Sequence, residues 1–88
     1  MKYFAVFLPM KDEGKSKELR AAHLAYLEEK EEEGKIFAKG RFTDGTGGLV
    51  IYQAADFAEA EELAKQDPYV TSGARECEVH EWTMTLAK

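Results

Sequence analysis

Near its start the chain carries KYFAVFLPM, Lys2 to Met10, a near-continuous apolar run rich in aromatic and branched residues. A run this short and this apolar predicts a β-strand buried on both faces, in the middle of a sheet. The polar, Gly-bearing KDEGKS follows. There Ser16 stands as the expected N-cap of a first helix, and Gly34, after the acidic tract Glu28 to Glu33, stands as its C-terminal stop. Inside that helix Leu19, His23, Tyr26 and Leu27 share one face, each within about 60° of His23 at ~100° per residue. An ionisable side chain is thereby aimed inward.

The second half repeats the alternation of strand and helix. GKIFAKGRF places Ile36 and Ala38 on one face and Phe37 on the other until Gly40 interrupts, and GLVIYQA is again apolar and β-branched. With the turn cluster TDGTGG between them, Lys35 to Gln53 predicts a hairpin. Asp56, with Glu59 three residues on, is a capping-box start, and Phe57, Ala60, Leu63 and Ala64 then recur at helical spacing. That helix is expected to end near Gln66, because the residue before Pro68 avoids the helical region. From about Arg75, Trp82, Met84 and Leu86 alternate with Glu81, Thr83 and Thr85, which predicts a final strand.

The order β-α-β-β-α-β predicts an α+β, ferredoxin-like fold, with two helices on one face of a four-stranded antiparallel sheet, in a single domain over residues 1–88. Its other sheet face is left bare, and the first strand is apolar on both sides. A homodimer closed over that face, as a dimeric α/β barrel, is the expected solution. A chain of this size buries only about 65% of its unfolded surface, so association also helps stability.

Charge and composition narrow the function. A net charge of −5, with no Lys/Arg run interleaved with aromatics, argues against nucleic acid as a partner. No apolar stretch approaches the ~20 residues a membrane helix needs. The absence of a leader-like segment and the lone Cys77 lead us to expect a cytoplasmic protein. Two histidines and one cysteine on separate elements show no metal-ligand spacing, and TDGTGG lacks the lysine of a phosphate loop, so neither metal nor cofactor is expected. His80, between Glu78 and Glu81 in sequence, does not change this, and Cys77 is expected to be structural.

The residues that carry chemistry lie in three places: Arg20, His23, Leu24, Tyr26 and Leu27 in one helix, then EEGKIFAKG, then DPYVTSG from Asp67 to Gly73. Together they resemble the YciI-like proteins, small dimeric ferredoxin-fold proteins related to muconolactone isomerase. The resemblance runs nearly to EVHEW at the end of the chain, and differs where this chain has Gly40-Arg41 and the family often has Gly-Pro. It implies that His23 and Asp67 form an active-site dyad.

Chemistry supports the same pair. A carboxylate accepting the Nδ1 hydrogen of an inward imidazole fixes its tautomer and raises its basicity, provided both helices lie over the same sheet face. The alternatives stay open: His23 as a hydrogen-bonded core residue, and Asp67-Pro68 as a helix stop. Arg20, one turn before His23, can clamp a substrate carboxylate or enolate, or remain a solvated flank. Tyr69 can offer a phenolic hydrogen bond or cover the sheet edge. The reading is a cofactor-free lyase or isomerase moving protons on a small oxygenated or aromatic-derived metabolite. Its alternative is a non-catalytic small-ligand-binding or interaction module.

Overall fold

The first apolar run forms β1 (Lys2–Pro9), an interior strand of a four-stranded antiparallel sheet in the computed structural model, which describes residues 1–87. In chain order there follow α1 (Glu13–Glu18), α2 (Arg20–Glu32), β2 (Ile36–Arg41), β3 (Gly47–Ala54), α3 (Phe57–Lys65), α4 (Pro68–Thr71) and β4 (Glu78–Trp82). The sheet order β2-β3-β1-β4 is the ferredoxin-like α+β arrangement that the alternation of elements predicts. Among the described residues no helix is long and apolar enough to cross a membrane.

Because side chains alternate across a strand, β1 serves two surfaces. Phe4, Val6 and Leu8 face the helices, in register with Tyr52, Val50 and Gly48 of β3, and pack with Leu27 of α2 and Ala60 and Ala64 of α3. Tyr3, Ala5 and Phe7 face the other way, beside Gln53, Ile51 and Leu49 of β3 and Trp82, His80 and Glu78 of β4. Among the described residues no helix covers that second face, although Ala5 and Ile51 are buried there among their neighbours. Phe7, Phe37 and Trp82 are 36%, 42% and 44% exposed, and Tyr3 meets Phe37 edge-on at 5.1 Å.

Several local expectations need correction. The first helix is broken at Leu19 (φ −100°, ψ 7°), and its cap is Asp12, whose carboxylate accepts the Lys15 N–H at 3.0 Å. Ser16, the expected cap, lies one turn inside and is buried, with its hydroxyl donating to the Ala74 carbonyl. A carboxylate one turn upstream competes better for free helical N–H groups than a hydroxyl does. β2 runs on through Gly40 to Arg41, and a bulge sets Ile36 opposite Tyr52 but Ala38 opposite Ile51, on different faces. β4 is shorter than expected. Arg75 makes only an isolated bridge to Met10, and Met84 and Leu86 lie past the strand end.

The capping box holds in a shifted form: Asp56 accepts the Glu59 N–H, and Glu59 reaches back to the N–H of Ala55, one residue before the cap, each at 2.9 Å. TDGTGG closes the hairpin, with the Phe42 N–H donating to Gly47. At Gly47 (φ 147°) a Cβ would lie 2.4 Å from the Leu8 carbonyl, so β3 enters the sheet through glycine.

The Tyr52 hydroxyl, on the helix side of β3, is buried without a hydrogen-bond partner among the described residues. Burial, then the charge of Asp67, pushes its ionisation far above the usual phenol range. An unpaired buried hydroxyl costs about 1–3 kcal/mol. Tyr52→Phe is therefore expected to raise the melting temperature by several degrees, roughly 4–8 °C per kcal/mol. Calorimetry checks this, and a lower midpoint would refute it.

Candidate functional site

Helix α2 buries His23 one turn into its length, 8% exposed, on the same face as Leu27. The chain leaves α3 and reaches Asp67 in an extended conformation (φ −61°, ψ 130°), as the following proline requires. Pro68 then opens α4 at a position where its missing N–H costs nothing. Asp67-Pro68, expected as a helix stop, is thus also the start of a short helix.

Asp67 is fully buried, and its carboxylate does two things at once. Its Oδ1 accepts the Tyr69 N–H at 2.9 Å, capping α4, and its two oxygens lie 2.8 and 2.9 Å from His23 Nδ1. A carboxylate removed from water costs several kcal/mol unless its lone pairs are met, and these bonds meet them. Since a carboxylate only accepts, the imidazole hydrogen belongs on Nδ1. Nε2 then carries the free lone pair, and it makes no hydrogen bond to any described residue.

Tyr69, buried beside them, meets the imidazole through its ring face and not through its hydroxyl: the rings stack at 3.9 Å and 12°. The Arg75 guanidinium lies over the same tyrosine, 4.5 Å from the ring centroid. Its Nε donates to the Ser16 hydroxyl at 3.0 Å and its Nη1 to the Leu8 carbonyl at 3.3 Å. The buried position of Ser16 is thus part of the wall that holds Arg75.

His23, Tyr69 and Arg75 open onto a cavity of about 300 Å³ between α2 and the sheet. Leu8, Leu27 and Val50 form its apolar floor, and Arg20 and Leu24 contribute from the exposed turn of α2. Lys39 and Arg41 reach it from β2, in register with Val50 and Gly48 on the helix side of the sheet. At Gly48 a Cβ would lie 2.9 Å from the Gly40 carbonyl, so glycine lets β3 approach the β2 backbone at the edge of the cavity. The volume suits a small metabolite, at the lower end of the roughly 300–1,000 Å³ typical of ligand sites.

The four residues singled out in the sequence therefore meet in one region, with Asp67 behind the wall and His23, Arg20 and Tyr69 on it. Lys39, Arg41 and Arg75 were not singled out as site residues. The period of two linking Lys39 to Arg41 was a readable signal, whereas nothing local marks Arg75. Elsewhere, Tyr26 donates to the Leu63 carbonyl at 2.6 Å, tying α2 to α3, with burial and then the Asp67 charge pushing its phenol up to about 12. Burial also raises the half-buried Cys77 thiol, as befits a packing residue. His80 lies on the bare sheet face against Phe7.

Comparison with known proteins places this geometry. A model of the YCII-related domain matches residues 1–83. The uncharacterized protein YjpA of Bacillus subtilis is 33% identical over 82 residues, covering 93% of this chain and 96% of that one. Among solved structures, 5-chloro-2-hydroxyhydroquinone dehydrochlorinase (TftG) from Burkholderia phenoliruptrix, in complex with 2,5-dihydroxybenzoquinone, superposes with a TM-score of 0.77. At 24% identity over 94% of this chain and 95% of that one, the likeness is one of fold.

Proposed function

The chain belongs to the YCII-related domain family, and from that premise we propose that it is a small-molecule enzyme that moves protons with His23 as general acid/base and Asp67 as its orienting partner. One observation carries the reading: Nδ1 is held by a fully buried carboxylate, while Nε2 is left without a partner among the described residues at a cavity of metabolite size. Nε2 would take a proton from a carbon beside a carbonyl, or from a ring hydroxyl, and the C–H or O–H electron pair would remain on the substrate as an enolate. Asp67 would stabilise the imidazolium so formed, and Arg20 would hold the enolate oxygen through its planar fork. Returning the proton at another carbon is isomerisation. Expelling a leaving group with its bonding electron pair from the neighbouring carbon is elimination.

The fold neighbour is named for a dehydrochlorination and holds a dihydroxybenzoquinone, which supports hydroxylated rings as the substrate class. The test is to incubate the protein with hydroxylated benzoquinones and hydroquinones, with and without a ring chlorine, in heavy water and follow ring C–H signals and chloride release. Catalysed deuterium uptake or halide loss is expected. A ring that binds without exchange or elimination would transfer the site to the binding-module reading.

We also propose that the bare sheet face pairs with a second copy, because Phe7, Phe37 and Trp82 leave an aromatic patch there at the sheet centre and edges. Sedimentation at micromolar concentration is expected to give a dimer, and Phe7→Arg a monomer. A monomeric parent protein would refute the pairing.

A further inference from the structure

The charge of the cavity wall is out of keeping with the rest of the molecule. The chain carries 17 Asp and Glu against 12 Lys and Arg. Yet the cavity is lined by Arg20, Lys39, Arg41 and Arg75 and, among the described residues, by no carboxylate. Asp67 sits behind His23 and is spent on the imidazole and the Tyr69 N–H.

The four cations are also poorly compensated. Lys39 pairs with Glu31 at 3.4 Å, but Glu31 is itself 55% exposed, so water screens much of that attraction. Among the described residues Arg75 donates only to a hydroxyl and a carbonyl. Arg20 and Arg41 have no ion-pair partner among the described residues. Four like charges around one small cavity repel one another, and they are best satisfied by an anion.

Their placement specifies more than a single negative charge. Arg20 stands three residues before His23 on α2, whereas Lys39 and Arg41 stand two apart on the helix side of β2, across the apolar floor. We infer that this cavity takes a small dianion: an apolar or aromatic body with one acidic oxygen group on the Arg20 and His23 side and a second on the Lys39 and Arg41 side. Arg41 is then the specificity-determining residue, since its unpaired fork can bind a carboxylate through two parallel hydrogen bonds. The inference rests on the proposed acid–base site and adds the charge and shape of its substrate.

The experiment is calorimetric titration with isophthalate, benzoate and the neutral isophthalate dimethyl ester. Isophthalate is expected to bind at least about tenfold more tightly than benzoate, the ester not at all, and raised salt should weaken isophthalate most. Arg41→Ala should remove about ten- to hundredfold of isophthalate affinity and leave benzoate almost unchanged. Arg41→Lys should recover only part. Arg41 is exposed on an edge strand, so these variants should keep the parent melting temperature.

Equal affinity for the mono- and dianion would overturn the inference. So would unaltered isophthalate binding in Arg41→Ala, or no probe binding tighter than about 1 mM. His23→Gln should retain the dianion preference, because the cations remain. Dianion binding without proton exchange would thus remove the acid–base reading alone, and exchange without dianion preference would remove this inference alone.

Discussion

Replacing His23 with glutamine is expected to lower the rate of substrate proton exchange by about 10²- to 10⁴-fold while leaving the protein folded. Glutamine approximates the shape of histidine, and its amide N–H can still donate to Asp67. It has no basic nitrogen to place where Nε2 meets the cavity. The stability cost should be modest, about 1 kcal/mol, because the carboxylate keeps a donor and Tyr69 keeps a flat group to stack on. The measurement is deuterium uptake at saturating substrate, paired with a melting curve. If turnover persists while the melting temperature falls, His23 is a packing residue and the acid–base proposal fails.

Removing Asp67 should act on both quantities at once. In Asp67→Ala the Nδ1–H of His23 and the N–H of Tyr69 lose their acceptor in a site from which water is nearly excluded. Leaving two buried donors unpaired costs about 1–3 kcal/mol each, which for a domain of this length lowers the melting temperature by about 10 °C or more. Asp67→Asn separates the roles. Its carbonyl oxygen can still cap α4, but it no longer offers the imidazole a negative charge, and a misplaced amide hydrogen favours the wrong tautomer. Most of the stability should return with the asparagine and little of the exchange rate. Full activity in Asp67→Asn would show that the carboxylate serves only the helix cap.

Dual use of one carboxylate explains why the site was only partly visible from sequence. That His23 points inward follows from the 3.6-residue period of α2, and that α3 ends before Pro68 follows from proline sterics, so both could be read locally. The bond between them spans 44 residues, and it exists because α2 and the end of α3 lie over the same sheet face. Ser16 shows the opposite failure. Its side chain is a good helix cap by type, but Asp12 outcompetes it, and the hydroxyl is drawn inward by Ala74 and Arg75 from the far end of the chain.

What the amino-acid sequence determined by itself was the order of strands and helices, the doubly apolar first strand, the capping box at Asp56 and the inward direction of His23. Each depends on side-chain period or on a backbone group a few residues away. The tertiary structure decided the rest: the pairing of His23 with Asp67, the stack of Tyr69 on the imidazole, and the gathering of Arg20, Lys39, Arg41 and Arg75 around one cavity. Those residues come from α2, β2 and the segments after α3. Nothing in their local sequence says that they meet, because their proximity is set by sheet register and helix docking.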